Sequence, residues 1–392
     1  METKIISRLN DFGESFERQH SFYGSDFVKG LIEKGGIYAS PRTGVTYQIP
    51  THFGFCYGVE KSIDMGFETT RRFPDRRIFL THDVIHNPKV NEDLKEKGVQ
   101  VLERDESGGL VLDRITEKDI VVIAAFGTRF GDVEALKEKG CVIVDTTCGA
   151  IVSVWKRVEK YAKNGFTSII HGIWNHEETQ ATASQAVKFD GHYLIVRVME
   201  DVRKIERFLN KQISREEFLK TFENRYSAGF DPDLHLRKVG IASQTTMLKA
   251  ETLEVQETLR GIYARVFGQA ELVKCFMSYD TICSATQERQ DALTALLEQP
   301  SDMVLIIGGF NSSNTTHLSE IASLTRPTYH IRGPQDIQSK ETIHHLSPAN
   351  LKELKTSPWM PSSLKRVAIS TGASTPDILI EKVIARVEEI LV

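Results

Sequence analysis

The chain has 392 residues, of which 40% are hydrophobic and 26% are charged, and its formal net charge is −4. This length allows two or three domains, and the composition is ordinary for a globular protein. The small negative charge argues against a protein that holds nucleic acid by bulk electrostatics, and no apolar run approaches the roughly 20 residues of a membrane span.

The N-terminal segment carries acidic residues and lacks an apolar core, so it predicts neither a secretory signal nor a transit peptide. Five cysteines are too few, and odd in number, for a disulfide scaffold. We therefore expect a cytoplasmic protein whose cysteines are thiols, catalytic groups or metal ligands.

Beyond a polar, partly helical extension over residues 1–45, short β-branched runs alternate with amphipathic helical stretches. This alternation is typical of parallel sheets flanked by helices. The charged stretch 200–237 is interpreted as a helical insertion. The predicted strands, in chain order, are 77–82, 120–126, 141–147, 168–172, 193–198, 238–244, 303–309 and 366–371.

Three cysteines occupy similar places in a weak internal repeat. Cys56, Cys148 and Cys283 each follow an extended segment and a short polar loop, and each precedes a predicted helix. The N–H groups and positive dipole end of a helix N-terminus stabilise a thiolate. We expect a pseudo-threefold arrangement in which the three thiols point at a common centre. Cys141 and Cys275 lie in or before apolar runs and are interpreted as structural.

Three convergent thiolates suit two kinds of site. One is zinc with a fourth ligand or water, and the other is an iron–sulfur cluster. A [4Fe–4S] cluster usually takes four cysteines, so three would leave one iron open to act as a Lewis acid.

Two polar loops predict an anion site. "NSSNTTHL" and "STGASTPDILI" each follow a predicted strand and open a helix, and they supply Ser312, Ser313, Asn314 and Ser374. Helix capping is the alternative interpretation of either loop alone. Because α/β proteins bind ligands at the carboxyl ends of parallel strands, the two loops together favour a phosphate group.

Candidate proton donors also follow predicted strands. His176 and Glu178 lie in "GIWNHEET", and Thr245 lies in "QTT". An acid at a strand end, close to a histidine, provides the groups for proton delivery. His86, in "IHNP", lies at a turn set by the following proline.

Together these motifs resemble the IspH/LytB family of 4-hydroxy-3-methylbut-2-enyl diphosphate reductases, and its plant and cyanobacterial branch more than the short bacterial one. The matching strings run in family order over about residues 46–392. They are "GFCYGV", "IHNP", "DTTC", "NHEET", "QTT", "CSATQERQ", "NSSNT" and "GASTPDILI".

The resemblance implies three small parallel-sheet α/β domains in a pseudo-threefold trefoil around a central cluster. It implies a [4Fe–4S] cluster with three protein ligands, Cys56, Cys148 and Cys283, and one open iron. The expected divisions are an N-terminal extension over 1–45 and domains over 46–147, 148–282 and 283–392, with the insertion near 200–237 in the second.

The implied activity is the reductive dehydroxylation of (E)-4-hydroxy-3-methylbut-2-enyl diphosphate to isopentenyl and dimethylallyl diphosphates, the last step of the methylerythritol phosphate route. Glu178, with Thr245 and His176, matches the family's proton-delivery group. The positions that match substrate-binding residues are His86, His176, Thr245, Ser312, Ser313, Asn314 and Ser374.

The resemblance and the sequence together indicate the partners. No G-x-G dinucleotide fingerprint occurs in the chain, so electrons are expected from a ferredoxin- or flavodoxin-type protein. We expect no nucleic-acid or membrane partner, and a monomer or homodimer.

Three departures from the family pattern matter. Phe126 stands where many bacterial members have a histidine, and Gly149 stands where proline is common. The family's "H-P-E" is replaced by a histidine followed by Glu177 and Glu178, which leaves two candidate acids. The register with the following threonine, Thr182, favours Glu178.

Two other classes of function remain open from the residues themselves. A hydro-lyase of the aconitase kind would use an open-iron cluster without net electron flow. A non-enzymatic iron–sulfur or zinc sensor would use the same cysteines only to bind metal.

Overall fold

The computed structural model describes residues 4–13 and 18–392. The parts of the predicted N-terminal extension at 1–3 and 14–17 lie outside the described residues. The strands are β1 Ile5–Ile6, β2 Ile37–Ala39, β3 Thr46–Gln48, β4 Ile78–Leu80, β5 Gln100–Val101, β6 Ile120–Ile123, β7 Val142–Asp145, β8 Thr167–His171, β9 Tyr193–Val196, β10 Val239–Ser243, β11 Phe276–Ser278, β12 Met303–Ile307, β13 Thr328–Ile331, β14 Ile343–Leu346, β15 Glu353–Thr356 and β16 Arg366–Thr371.

The helices fill the intervals that the sequence pattern predicts. They are α1 Asp26–Glu33, α2 Tyr57–Arg72, α3 Pro88–Glu96, α4 Phe130–Glu138, α5 Gly149–Lys163, α6 Glu177–Lys188, α7 Met199–Leu209, α8 Arg215–Thr221, α9 Pro232–His235, α10 Lys249–Phe267, α11 Leu272–Cys275, α12 Ser284–Leu297, α13 Ser313–Ser323 and α14 Ile378–Leu391. All eight predicted strands are confirmed, and so is the helical character of the 200–237 insertion, which contains α8, α9 and most of α7. None of the described helices combines the length and apolar character needed to cross a bilayer.

The strands form three sheets. The first sheet has the order β1-β7-β6-β4-β5 and the second has the order β11-β10-β8-β9, and every pairing in them is parallel. The third sheet has the order β15-β14-β13-β12-β16-β3-β2, with parallel pairings from β13 to β3 and antiparallel pairings at both edges. The expected α/β architecture with three sheets rich in parallel pairings is confirmed.

Several inner strands are buried along their whole length, as parallel sheets covered on both faces require. β6, β8, β10 and β12 carry only buried residues; each contains isoleucine, and all but β8 contain valine. Continuous apolar runs of this kind, rather than alternating ones, predicted strands that need helices on both sides.

The described chain divides into two compact units. Unit 1 comprises residues 1–11, 73–82 and 99–283 and contains the first and second sheets; unit 2 comprises residues 12–72, 83–98 and 284–392 and contains the third sheet. The N-terminal segment contributes to both units, because β1 pairs with β7 and β2 pairs with β3. The predicted division into three domains at residues 46, 148 and 283 stays a prediction.

Candidate active site

The three cysteines of the internal repeat each lie at a loop-to-helix junction, as predicted. Cys56 immediately precedes α2, Cys148 is the N-cap residue of α5, and Cys283 immediately precedes α12. All three are partly exposed, whereas Cys141 and Cys275 are buried.

The backbone holds the three cysteines in the same way. The N–H group of each cysteine donates to the carbonyl of a residue two positions beyond the end of a parallel strand, and each of the three sheets supplies one such carbonyl. The pairs are Cys148 with Ala125 after β6 at 2.9 Å, Cys283 with Thr245 after β10 at 3.3 Å, and Cys56 with Ala373 after β16 at 3.2 Å. This shared geometry supports the internal repeat that the sequence indicated.

The loop before Cys56 is fixed by close contacts within unit 2. Gly54 has φ +70°, and a Cβ at this position would lie 2.0 Å from the Asp377 carboxylate. The Gly54 N–H donates to Thr371 Oγ1 at 2.7 Å, and its carbonyl accepts from Arg289 Nη2 at 2.8 Å. Only glycine fits this turn. Arg289 was not singled out from the sequence, although it lies inside the matched string "CSATQERQ".

The two remaining cysteines have the environment of structural residues. Burial raises the pKa of the Cys141 thiol to about 11, and it also raises the pKa of Cys275. Cys141 packs in the core of the first sheet, and Cys275 packs in the core of the second. A thiol that stays protonated is a poor metal ligand, since the thiolate is the binding form.

The donor set fits an iron–sulfur cluster. Three partly exposed cysteine thiols, each at a helix N-terminus, provide the soft sulfur ligands that such clusters take. Each helix N-terminus also directs a positive dipole end toward its cysteine, which favours the anionic ligand.

Within unit 1, the structure brings Glu178, Thr245 and His176 together. Glu178 lies in the first turn of α6 and is 1% exposed. Its Oε1 accepts the backbone N–H of Thr245 at 2.6 Å. Burial raises the pKa of Glu178 from 4.5 to about 7, although the hydrogen bonds from Thr245 act in the opposite direction. Glu178 is therefore a carboxylic acid that can carry a proton near neutral pH.

The neighbouring Glu177 has a different environment. Its side chain is 37% exposed, and it lines a cavity of about 260 Å³ together with Arg104, Arg129 and Trp174. Glu177 is thus open to solvent, whereas Glu178 is buried. The geometry therefore favours Glu178 over Glu177 as the acid.

His176 is held as a neutral imidazole. It is the N-cap residue of α6, and its Nδ1 accepts the backbone N–H of Glu178 at 3.1 Å. Because Nδ1 is the acceptor, the ring proton lies on Nε2, and burial lowers the pKa of the ring. Phe126 packs edge-on against this ring, with 5.9 Å between ring centroids. The phenylalanine that replaces the common histidine thus supports His176 by packing.

Within unit 2, three loops form a group of neutral donors that we call the donor loops: residues 85–88, 308–314 and 372–376. Asn311 Nδ2 donates to His86 Nδ1 at 3.1 Å, which places the ring proton of His86 on Nε2. Asn314 Oδ1 accepts the N–H of Ala373 at 2.9 Å, so the Asn314 amide nitrogen is the group that remains to donate.

Two buried groups in the donor loops point to a ligand. Among the described residues, neither the Ser313 hydroxyl nor the Asn314 amide nitrogen has a hydrogen-bond partner, and both side chains are buried. An unpaired buried polar group costs free energy, so such groups usually mark a bound ion or water. Ser374 lies buried in the third donor loop, after β16.

Ser312 has a second, local role. It is the N-cap residue of α13, and its hydroxyl oxygen accepts the N–H of Thr315 at 3.3 Å and the Thr315 hydroxyl at 2.9 Å. The alternative interpretation of helix capping is thus confirmed for Ser312, whose own hydroxyl proton is still available to a ligand.

Fold and site together define the class of protein. Both units collect their polar side chains in loops after the carboxyl ends of parallel strands, which is where α/β enzymes bind and convert their substrates. The chain has the architecture of an α/β enzyme.

Comparisons with known proteins identify the family. The family model described as "LytB protein" matches residues 48–388. A 4-hydroxy-3-methylbut-2-enyl diphosphate reductase from Gloeobacter violaceus is 44% identical over 94% of this chain and 88% of its own length. The Synechococcus sp. enzyme of the same name is 42% identical over 98% of both chains. The chain belongs to the LytB family and resembles its cyanobacterial members.

Solved structures agree with this assignment. A structure of (E)-4-hydroxy-3-methyl-but-2-enyl diphosphate reductase, titled the terminal enzyme of the non-mevalonate pathway, is 28% identical, with a TM-score of 0.51, and the match covers 87% of this chain and 98% of that chain. The Plasmodium falciparum reductase is 21% identical, with a TM-score of 0.64 over 86% of each chain, and it shows the shared fold. The resemblance derived from sequence motifs is confirmed, and the family implies an iron–sulfur cofactor.

Proposed function

We propose that this chain is a 4-hydroxy-3-methylbut-2-enyl diphosphate reductase that replaces the allylic hydroxyl of its substrate by hydrogen. The overall change consumes two electrons and two protons and releases one water. The products are isopentenyl and dimethylallyl diphosphates. The observation that carries this proposal is Glu178, a buried acid whose pKa lies near 7, in a chain of the LytB family.

Glu178 is the proton donor in this proposal. The Thr245 N–H holds one carboxyl oxygen, which leaves the protonated oxygen for the substrate. Burial keeps bulk water away from the acid, so the proton moves to the substrate rather than to solvent. His176 Nε2–H donates a hydrogen bond to a polar atom of the substrate, and the Thr245 hydroxyl, which also bonds the Glu178 carboxyl, accepts one from the substrate hydroxyl.

The donor loops bind the diphosphate. The donors are neutral: the Ser312, Ser313 and Ser374 hydroxyls, the Asn314 amide and His86 Nε2–H. Many hydrogen bonds and the N-terminus of α13 spread the negative charge, so no buried lysine is needed.

Cys56, Cys148 and Cys283 are the proposed ligands of a [4Fe–4S] cluster with one iron that the protein leaves open. When bound, this cluster would pass the two electrons one at a time from an external donor to the substrate, and it would supply a Lewis acid for the departing oxygen. A ferredoxin- or flavodoxin-type protein is the proposed external donor. The cytoplasmic location and the monomeric or homodimeric state stay predictions.

Anaerobic turnover tests the proposal. The protein purified without oxygen should be brown and should convert the allylic diphosphate only when a reductant is supplied. Turnover without reductant would identify a hydro-lyase instead. A colourless protein that contains zinc and has no turnover would identify a metal sensor.

A further inference from the structure

Gln244 is buried between the two loops that carry the proposed acid and its partner. It lies directly after β10, precedes Thr245, and is 1% exposed. Its Oε1 accepts the backbone N–H of Ile173 at 3.1 Å and the Thr179 hydroxyl at 3.2 Å. Its Nε2 donates to Thr246 Oγ1 at 2.9 Å.

These bonds join two neighbouring strands beyond their carboxyl ends. Ile173 and Thr179 belong to the loop and first turn that follow β8, where His176 and Glu178 lie. Gln244 and Thr246 belong to the loop that follows β10, and β8 and β10 pair directly. One amide side chain therefore sets the spacing of the two loops.

The two loops approach so closely that one position requires glycine. A Cβ on Gly172 would lie 2.8 Å from Thr179 Oγ1 and 3.0 Å from Gln244 Cβ. Thr179 is fully buried as well. Packed this tightly, the Gln244 amide has little freedom to adopt another arrangement.

We infer that Gln244 is a positioning residue that holds the Glu178 acid against the backbone N–H of Thr245. The inference rests on the proposed role of Glu178 as proton donor. The contact that Gln244 maintains is the 2.6 Å hydrogen bond from Thr245 to Glu178, which lies between the same two loops. A misplacement of about 1 Å in a catalytic group can lower a rate by about 10²-fold, so a residue without substrate contact can control the rate.

Gln244→Met tests the inference, because methionine has a similar length and makes none of the three hydrogen bonds. We expect kcat to fall about 10- to 100-fold. The Kd for inorganic diphosphate should change by less than about twofold, because the donor loops are untouched. Amide exchange of the segments 172–180 and 244–247 should become faster, which reports the loosened loops without reference to turnover.

A double-mutant cycle separates positioning from general stability. If Gln244 acts through Glu178, Gln244→Met should lower kcat by less than about twofold further in a Glu178→Gln background. An equal loss in both backgrounds would show a merely structural role and would overturn the inference. Wild-type turnover of Glu178→Gln alone would instead overturn the proposed acid, whatever Gln244→Met does.

Two further variants keep the test decisive if Gln244→Met folds poorly. Thr179→Val removes one of the three bonds at constant volume and should lower kcat several-fold, whereas Thr179→Ser keeps the hydroxyl and should retain activity. Gln256→Met is the matched control, since Gln256 is a buried glutamine of unit 1 that donates to Tyr279 O at 3.2 Å. It should leave kcat unchanged; a loss equal to that of Gln244→Met would overturn the inference.

Discussion

At the scale of single residues, the proposed proton transfer depends on Glu178, a carboxyl group that burial keeps protonated to a higher pH than usual. Glu178 has no cationic partner among the causes of its shifted pKa; desolvation is the largest cause, and it places the pKa at about 7. A general acid works best when its pKa lies near the working pH. Turnover that needs protonated Glu178 should therefore decline as the pH rises above about 7.

Glu178→Gln tests the acid directly. Glutamine keeps the shape of the side chain and accepts the Thr245 N–H, but it cannot deliver a proton, so turnover should fall by about 10²–10⁴. Substrate binding and iron content should persist, because the residue lies in neither the donor loops nor the set of cysteines. Glu177→Gln is the matched control and should keep most of the activity. The opposite result would assign the acid to Glu177.

The same group makes stability depend on pH. The native pKa of Glu178 is raised to about 7 from 4.5, so the native state holds the proton more tightly than the unfolded state does. This contribution is fully present below pH 4.5 and is lost as the pH rises through 7; the difference corresponds to about 3 kcal/mol.

Glu178→Gln removes this titration. Its free energy of unfolding should match that of the wild type near pH 4.5 and exceed it increasingly up to about pH 8, by at most about 3 kcal/mol. Denaturant unfolding of both proteins at four pH values measures the difference. A gap that stays constant with pH would contradict the raised pKa.

The sequence motifs identified the candidate residues of the site, but they did not show which of these residues are buried. The pair Glu177-Glu178 left two candidate acids, because adjacent residues of a helix point to different faces and the motif alone does not show which face meets the substrate. The register with Thr182 favoured Glu178, and the contact of Glu178 with Thr245, which follows a different strand, supports that choice. Gln244 belonged to a quoted motif, yet its bonds to Ile173 and Thr179 depend on the pairing of two strands about 70 residues apart, which local pattern does not reveal.

At the scale of elements, the proposed cluster ligands lie at helix N-termini. The junction between Cys148 and α5 allows one of them to be tested. Gly149 is the first residue of α5, and a Cβ there would meet nothing within 4 Å. Cys148 has φ −62° and ψ 136°, a conformation that a residue preceding proline readily adopts.

Gly149→Pro should therefore stabilise the protein. Proline is favoured at the first position of a helix, and it restricts the unfolded chain, which is worth about 0.4–1 kcal/mol. Thermal unfolding should show a higher Tm with unchanged iron content. Gly54→Pro is the control: φ at Gly54 is +70°, a conformation that proline cannot adopt, so this variant should be destabilised.

Two serines of the donor loops allow ligand binding and helix capping to be tested separately. The Ser313 hydroxyl is buried, and no described residue provides it with a hydrogen-bond partner, so Ser313→Ala should leave Tm unchanged. It should weaken diphosphate binding by about 10- to 100-fold, as the loss of one hydrogen bond to a charged group predicts.

Ser312→Ala should weaken binding and, in addition, lower the free energy of unfolding by about 1 kcal/mol, since it removes the cap of α13. Calorimetric titration and thermal unfolding of both variants give the comparison; wild-type affinity in Ser313→Ala would argue against this anion site.

Seven of the eight strands that the sequence predicted are inner strands of their sheets, and the eighth, β9, is an edge strand. Continuous apolar runs such as "MVLII" leave little choice but a parallel strand covered on both faces. The edge strands β15 and β1 were not predicted, because β15 is mostly exposed and β1 contains two residues. Their pairing is set by distant partners: Ile5 lies opposite Ile143, and Thr46 lies opposite Arg366.

At the scale of the whole molecule, one backbone hydrogen bond to a cysteine occurs three times. Each sheet ends a strand two residues before a carbonyl that accepts a cysteine N–H, and each of those cysteines starts a helix. The sequence indicated the repeat through the three cysteines alone. These three hydrogen bonds were not predictable from the sequence. The residues that supply the carbonyls, Ala125, Thr245 and Ala373, have no common motif, and each lies at a different distance along the chain from its cysteine.

This repetition predicts which cysteines bind iron. A cluster with three protein ligands has none to spare, so Cys56→Ser, Cys148→Ser and Cys283→Ser should each deplete iron and sulfide and abolish turnover.

The other two cysteines serve as internal controls, since burial raises the pKa of both thiols and each lies in an apolar core. Cys141→Ser and Cys275→Ser should keep the iron and lose only stability, by about 1–3 kcal/mol, because each places a more polar hydroxyl in its core. Anaerobic iron and sulfide analysis of the five proteins, normalised to folded protein, decides the assignment. A full complement of iron in any one of the first three variants would remove that cysteine from the ligand set. It would mean that the three cysteines held by these backbone hydrogen bonds are not three equivalent ligands.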